Sequence, residues 1–319
     1  MKVLIKNKDI SKIADLEWAD DLENFADTIS FTSDTQIPPA SQYALIDENS
    51  GTTVMSGIIS EYSQSERDKF NYSGYDFGFY LNHNSIIKQF NGIKISDAIN
   101  TLCRDFKIPI GVIPKLPATV KKIYKNVLLS DCIKELLELA EKKMNVDYYY
   151  MTSSNGKFNI KKYEVIEDLS AYISKTYTML SQYAIQNQNM TVSMEDLKNQ
   201  IVVVDSSSDK ISKKITVKDD KSIKKYGLLQ YVEEVDKDNK NNYRKIGQSK
   251  LAELNKLTTS LSMTTLGDYR MRKGVIIPIN NKLFDIKGDF LIKSSRHSIS
   301  DTKELVTVNL VNYDRKKLG

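Results

Sequence analysis

Gly288-Asp-Phe-Leu-Ile-Lys-Ser294 and Leu305-Val-Thr-Val-Asn-Leu310 are the two stretches of sequence that decide the fold class. Apolar and polar residues alternate along the second stretch, which is the pattern of a strand with one face on a core. The predicted core face is Val306, Val308 and Leu310, and the opposite face is Thr307 and Asn309. Residues 273–279 and 283–286 precede them as further predicted strands, and an amphipathic helix is predicted within residues 243–261. The last third of the chain is therefore predicted to be a β module with one helix.

The first eighty residues predict a second β module. Residues 28–32 alternate, with Ile29 and Phe31 on one face. Residues 43–46 and 53–60 flank Asp47-Glu-Asn-Ser-Gly51, whose turn-forming residues predict a β-hairpin. Residues 70–81 are rich in Tyr and Phe, which favours a half-buried strand.

The middle of the chain changes to a helical period. Ser96-Asp-Ala-Ile99 and Ser130-Asp-Cys-Ile133 lie 34 residues apart. Each predicts a helix with the serine as N-cap and the aspartate near the positive end of the helix dipole. We interpret them as two similar helix-then-strand units, because a solenoid would need at least three repeats. Residues 146–151 and 157–161, on either side of Ser153-Ser-Asn-Gly156, predict a hairpin after the second helix.

The predicted organisation has three parts. A polar connector at residues 182–189 puts a domain boundary near residue 190. Residues 200–205 and 213–218 then predict a hairpin around a turn at residues 206–209, and residues 236–242 predict a solvated loop. We therefore expect an α+β, mostly β chain with domains at residues 1–90, 91–189 and 190–319.

Composition and charge exclude several classes of protein. Hydrophobic residues make up 40% of the chain and charged residues 27%, as in ordinary soluble globular proteins. The net charge of +5 is small and both signs are mixed, whereas a nucleic-acid binder would show a clustered basic surface. We interpret the seven lysines of residues 210–225 as a solvated face or a contact with an acidic neighbour. Apolar stretches are too short for a signal peptide or for the roughly 18 residues that span a bilayer, so we expect no membrane anchor.

Candidate catalytic residues are few. Thiol chemistry would pair Cys103 or Cys132 with His83 or His297, but both cysteines belong to helical patterns, which favours buried, inert thiols. Two Cys and two His, widely scattered, lack zinc-site spacing, and no phosphate-binding glycine–lysine string occurs. The 41 acidic residues leave a glycosidase-type carboxylate pair open, because the sequence singles out none. We predict no catalytic residue, no cofactor and no metal site.

A series of short motifs, taken in order, resembles one known family. The motifs are Trp18-Ala-Asp-Asp21 leading to Ala26-Asp-Thr-Ile-Ser-Phe31, Gly74-Tyr-Asp-Phe-Gly-Phe-Tyr-Leu81, Cys103-Arg-Asp-Phe-Lys-Ile-Pro-Ile-Gly111, Lys225-Tyr-Gly-Leu-Leu-Gln230, Gly267-Asp268, and Gly288-Asp-Phe-Leu-Ile-Lys-Ser-Ser-Arg-His297. Through them the chain resembles the tail-hub proteins of contractile-tailed phages, of the XkdQ and YqbQ type of defective prophages and R-type bacteriocins.

That resemblance implies two tube-type β-barrel domains with an inserted α/β region. It also implies a homotrimer, in which six barrels imitate one hexameric ring of the tail tube. The implied partners are the chain itself, the tail tube protein, the central spike and other baseplate proteins, with DNA only in transit through the channel.

The function implied is a structural, non-enzymatic hub, assembled in the bacterial cytoplasm as part of a phage or phage-tail-like particle. Some relatives carry wall-hydrolase domains. Because Gly319 follows soon after the last predicted strand, we expect no such domain here. A peptidoglycan-degrading tail hydrolase is the alternative from another class, and a nucleic-acid-binding protein is a weaker third. Phage and bacteriocin particles both stay open.

Overall fold

The computed structural model describes residues 1–10, 12–144, 149–154, 156–169, 186–205, 214–235, 242–281, 286–300 and 303–315. Strands dominate and helices are fewer, which confirms the predicted mostly β fold class. Several predicted features lie outside the described residues, namely those at residues 146–148, 182–185, 206–209, 236–241 and 283–285.

The N-terminal strands follow the predicted alternation. They are β1 (Lys2–Ile5), β2 (Lys8–Asp9), β3 (Ala14–Asp21), β4 (Thr28–Ser33), β5 (Gln42–Ile46), β6 (Thr53–Glu66) and β7 (Lys69–Asp76). Ile29 and Phe31 of β4 are buried as predicted. The predicted hairpin between β5 and β6 is confirmed by their antiparallel pairing, and its turn is closed by a hydrogen bond from the Gly51 amide to the Asp47 carbonyl.

The aromatic strand predicted over residues 70–81 ends early. β7 stops at Asp76, and helix α1 (Phe79–Asn82) follows. The Asp76 carboxylate accepts a hydrogen bond from the Gly78 amide at 2.9 Å, which turns the chain out of the sheet. A Cβ atom on Gly78 would lie 2.1 Å from the Phe25 carbonyl oxygen, so this close turn requires glycine.

The middle region contains β8 (Ser85–Lys94), α2 (Ile95–Asp105), β9 (Thr119–Leu128), α3 (Leu129–Met144), β10 (Tyr149–Ser154), β11 (Lys157–Lys162), β12 (Glu164–Val165) and a 3-10 turn (Glu167–Leu169). The 34-residue repeat is a strand-then-helix unit, not the predicted helix-then-strand unit. Both β9 and α3 begin 34 residues after β8 and α2.

The two repeat units are related by the pairing of their strands. β8 and β9 run antiparallel and form a two-stranded ribbon, with Gln89 opposite Ile123 at its centre. Each strand has one bulged residue, Gly92 in β8 and Asn126 in β9, and both have positive φ. Because these two residues are also 34 positions apart, the ribbon has a local pseudo-twofold arrangement.

The predicted serine N-caps are wrong. α2 begins at Ile95 and α3 at Leu129, so Ser96 and Ser130 lie inside the first turns. Each helix continues directly from a ribbon strand, and its first amide is anchored by backbone from the other unit. The Ile95 amide donates to the Ala118 carbonyl at 2.8 Å, and the Leu129 amide donates to the Asn84 carbonyl at 2.8 Å. A backbone carbonyl thus accepts a hydrogen bond at each helix start, where the prediction had a serine side chain as the acceptor.

Residues 190–260 form one compact unit of the chain. β14 (Gln200–Asp205), β15 (Lys214–Lys218) and β16 (Gln230–Val235) make its sheet, and β14 and β15 confirm the predicted hairpin. Helices α4 (Asp220–Tyr226) and α5 (Tyr243–Leu254) follow β15 and β16. The helix predicted within residues 243–261 is shorter than that span, because Leu261 is a buried strand residue.

The second compact unit combines residues 1–189 with residues 261–319. The remaining strands are β13 (Gln186–Ser193), β17 (Thr258–Leu266), β18 (Val275–Asn281), β19 (Ile286–Ser300) and β20 (Lys303–Tyr313). The main path of the large sheet is β13-β17-β20-β19-β3-β4-β7-β6-β5-β1-β2, with β18 also paired to β19. The β19–β3 pairing therefore joins late strands to early ones. The division into domains at residues 1–90, 91–189 and 190–319 stays a prediction.

Separate apolar cores support these elements. Val306, Val308 and Leu310 of β20 are fully buried in one core, which confirms the predicted register, and Thr307 faces the other way with its hydroxyl 2.9 Å from Thr264. The early strands have their own core around Trp18, and the helices α2 and α3 cover another.

Candidate assembly site

A cluster of five ionisable side chains, four of them buried and Arg272 partly exposed, lies where the early and late strands of the large sheet meet. Its members are Asp20, Asp27, Asp76, Arg272 and Lys273, which we call the ion network. Inward-facing positions recur at every second residue of β3, and this alternation places Asp20 in the interior. Asp27 directly precedes β4, whereas Arg272 and Lys273 shortly precede β18.

Asp27 contacts both cations of the network. Its Oδ1 lies 2.6 Å from Lys273 Nζ, and its Oδ2 lies 2.7 Å from Arg272 Nη2. Lys273 Nζ also donates to the backbone carbonyls of Asp21 and Asn24, at 3.2 and 3.1 Å. Burial alone would lower the pKa of Lys273, but the charge of Asp27 raises it above its ordinary value. The ammonium group is therefore held charged in the interior.

Asp20 links the network to the β19 strand. Its Oδ2 accepts from Arg272 Nε at 3.1 Å, while its Oδ1 accepts from the Ser295 hydroxyl at 2.7 Å and from the Lys273 amide at 3.1 Å. Arg272 also donates to the Val54 carbonyl of β6 at 2.8 Å. One carboxylate and one guanidinium thus tie strands from both ends of the chain.

Asp76 completes the charge balance. Burial raises the pKa of Asp76 well above its ordinary value, and the charge of Asp27 raises it further, while Lys273 opposes the shift. Both causes favour the neutral acid. With Asp76 neutral, two carboxylates face two cations, so no net charge is buried.

An aromatic stack lies beside the network. The rings of Trp18 and His297 are 3.7 Å apart and 8° from parallel, and the Arg272 guanidinium lies 5.1 Å from the Trp18 ring. The His297 ring nitrogens lie 3.1 Å from the Met271 carbonyl and 3.0 Å from a Glu304 carboxylate oxygen. His297 is fully buried, and each of its ring nitrogens faces an oxygen at hydrogen-bonding distance.

The network can hold strands together but offers nothing to a substrate. The side chains of Asp20 and Asp27 are 0% exposed, and their oxygens are engaged by cations or backbone amides. An acid–base pair needs a cleft that a substrate can enter. Removing one partner of such a buried pair is strongly destabilising, because it leaves an uncompensated charge. The arrangement is therefore a structural joint.

The sequence matches one known protein family. The family model described as YQBQ-like matches residues 16–311, which is most of the chain. This chain belongs to the YQBQ-like family.

A curated relative and two solved structures each match most or all of the chain. The YQBQ-like chain is 24% identical over 273 residues to the phage-like element PBSX protein XkdQ of Bacillus subtilis strain 168, covering 84% of this chain and 81% of the relative. Its fold is similar to the prophage MuSo2 43 kDa tail protein of Shewanella oneidensis, with a TM-score of 0.71, 15% identity and coverage of 100% and 99%. It is also similar to a tail protein of Neisseria meningitidis MC58, with a TM-score of 0.69, 14% identity and coverage of 98% and 96%.

The four candidate thiol and imidazole residues do not come together in this YQBQ-like chain. Cys103 and Cys132 are free thiols in the core under α2 and α3, and burial raises the pKa of each to about 12. Such thiols are protonated and unreactive near neutral pH. His83 is exposed, stacks on Phe79 and has Nδ1 2.8 Å from the Phe79 carbonyl.

The described part of the YQBQ-like chain has neither clustered metal ligands nor a membrane-spanning helix. Those residues include no group of three or more His, Cys, Asp and Glu placed to hold a metal ion. No helix among them has the length and apolarity to cross a membrane. The absence of cofactor, metal and catalytic sites in the whole chain stays a prediction.

Sequence reasoning missed the ion network. Asp20 and Asp27 lie within the motifs that carried the family resemblance, Trp18-Ala-Asp-Asp21 and Ala26-Asp-Thr-Ile-Ser-Phe31. The available signal was the inward position of Asp20, two residues after Trp18 on an alternating strand. A buried carboxylate requires a cation partner, but Arg272 and Lys273 are about 250 residues away in sequence, so only the fold identifies them.

Proposed function

We propose that this chain is a structural, non-enzymatic hub of a contractile phage tail or phage-tail-like particle. Three copies would form a ring that joins the tail tube to the central spike and baseplate. The ion network carries the proposal, because it seals early and late strands of one chain into a single sheet. A ring segment that transmits the force of contraction must not open between its strands.

Within this ring we propose two tube-type β-barrels per chain, one from residues 1–90 and one from residues 190–319, with residues 91–189 inserted between them. Each region contributes strands to the large sheet, and sheet edges left within one chain can be closed by neighbouring copies. Contacts that repeat head to tail close into a ring when the rotation between copies completes a circle. Two barrels in each of three copies would match a hexameric tube layer.

The proposed partners are a second and third copy of the chain, the tail tube protein, the central spike and other baseplate proteins. DNA would only pass through the channel of a phage particle. Assembly would take place in the bacterial cytoplasm. Two findings support the setting in a tail particle, namely that the chain belongs to the YQBQ-like family and that it is similar to a protein of a phage-like element.

Deletion of the gene tests the structural role. We expect cells without the chain to make no complete tails, and cells complemented with a tagged copy to make tails with the tag at the junction of tube and spike. Electron microscopy of purified particles would report both outcomes. Normal tails without the chain, or purified tails that lack it, would contradict the proposal.

Cell-wall digestion tests the non-enzymatic character. Purified chain should release no more soluble fragments from cell walls than a heat-denatured control, at any pH from about 4 to 8, where carboxylates and histidine titrate. Release that disappears on changing one carboxylate would identify a tail-associated hydrolase instead.

A further inference from the structure

The β8–β9 ribbon has one sealed face and one open face. Its sealed face packs against α2 and α3 through the buried side chains Ile86, Phe90, Val120 and Tyr124. The open face consists of three cross-strand pairs that are exposed on both strands: Ile87 with Lys125, Gln89 with Ile123, and Asn91 with Lys121. Ile87 is 83% exposed and Ile123 is 52% exposed.

All charged residues of the ribbon are basic. Its two strands contain five lysines and no acidic residue. Lys88 and Lys122 are neutralised by the helices on the sealed side, through ion pairs with Asp105 and Glu135. Lys121 and Lys125 form no salt bridge with another described residue. The open face therefore carries one positive charge on each side of Ile123.

Equivalent positions of the two repeat units are similar on the sealed face and different on the open face. Sealed positions carry similar side chains in the two units, as in Ile86 and Val120 or Phe90 and Tyr124. Open positions differ, as in Gln89 and Ile123. Packing within the chain therefore does not explain the Lys-x-Ile-x-Lys pattern of residues 121–125.

We propose that the open face of the β8–β9 ribbon docks an acidic, extended segment of another protein of the particle. This inference rests on the proposed function, which supplies the particle. Among the described residues the ribbon pairs with no other strand, so the outer edge of β9, the strand of Lys121, Ile123 and Lys125, has no strand partner and would accept an added strand. A segment lying along that edge meets its side chains in register.

The chemistry of the partner follows from the spacing of the lysines. Lys121 and Lys125 are four residues apart on an extended strand, which is about 13 Å at roughly 3.3 Å per residue. The complementary segment has two carboxylates at the same spacing with an apolar residue between them, opposite Ile123. Nucleic acid fits less well, because the face carries two exposed isoleucines and neither an arginine nor an aromatic ring.

Charge reversal tests this docking in cells that make the particle. The variant Lys121→Glu/Lys125→Glu should fold normally, since both side chains are exposed, and its thermal unfolding should match that of the natural chain. Opposed like charges at an interface cost several kcal/mol, so we expect at least about a tenfold loss of complete particles. The control is Lys214→Glu/Lys218→Glu, two exposed lysines with the same spacing on β15, of which Lys218 pairs with the exposed Asp220; this variant should assemble normally.

Suppressor selection identifies the partner. Second-site changes that restore particles to the Lys121→Glu/Lys125→Glu variant should replace Asp or Glu by Lys in a different protein of the particle. Normal assembly of this variant, or an equal loss with the β15 control, would overturn the inference while leaving the hub proposal intact. Salt-dependent binding of a DNA duplex that the variant loses would assign the face to nucleic acid instead. Absence of the natural chain from particles would contradict the hub proposal itself.

Discussion

The ion network and the β8–β9 ribbon use charge in opposite ways. In the network Asp20, Asp27 and Lys273 are buried, Arg272 is partly exposed, and each charge is opposed by a partner, so the network joins early and late strands. On the ribbon Lys88 and Lys122 are partly exposed and paired with helix carboxylates, whereas Lys121 and Lys125 are exposed and form no ion pair with another described residue. The comparison teaches that a carboxylate within reach in the same chain, more than the number of charges, decides whether a basic side chain serves the fold or is free to bind.

The largest expected effect comes from breaking the network. Lys273→Met removes the ammonium group from Asp27 and leaves a buried carboxylate short of one cation. We expect a loss of about 3–5 kcal/mol in the free energy of unfolding, measured by urea titration. The matched change Lys121→Met on the open face should alter stability by less than about 0.5 kcal/mol. Similar losses from both changes would remove the distinction between the two regions.

The same contrast can be tested on a single strand. Val306 is fully buried on one face of β20, and Thr307 lies on the other. Val306→Asp places a charge in the core and should cost about 3 kcal/mol or more, while Thr307→Asp should cost much less. Thermal unfolding of the two variants measures the difference, and equal melting temperatures would refute the register.

The pH dependence of stability tests the neutral state of Asp76. Its pKa is raised in the folded chain, so the stability linked to its proton is complete below its ordinary pKa and is lost as the pH rises toward the folded value. Asp76→Asn keeps the shape and removes this dependence. We therefore expect the stability of the variant relative to the natural chain to improve as the pH rises above the ordinary pKa of an aspartate, by up to about 1.4 kcal/mol per pH unit. A difference that does not change with pH would contradict the assigned cause.

The smallest expected effect concerns the exposed ion pair of the ribbon. Lys122→Gln breaks the contact with Glu135, but both side chains are partly exposed, at 48% and 35%. Screening by water limits the expected loss of stability to about 0.5 kcal/mol. A loss as large as that of Lys273→Met would show that the ribbon is also a buried joint.

Much of the fold could be predicted because alternation and period are local. The core-facing residues of β4 and β20 could be predicted because they occur at every second position. The 34-residue spacing of Ser96 and Ser130 corresponds to a structural repeat. The order within the repeat was wrong, because each helix start is set by a hydrogen bond to the backbone of the other unit. The residues around each helix start do not identify such partners.

The joint itself could not be predicted for a related reason. Asp20 was visible as an inward position on β3, but its partners Arg272 and Ser295 become neighbours only through the β19–β3 pairing. The family resemblance contained Asp20 and Asp27 without indicating their role. Long-range pairing, and not composition or motif, turned these residues into a site.

The mass of the chain in its assembled state tests the central claim most directly. Native mass measurement of the purified chain, alone and with the spike protein of the same particle, counts the copies in the complex. The hub account predicts three copies around the spike, and therefore three copies in one ring of the particle. A complex with a single copy or with six copies would contradict it.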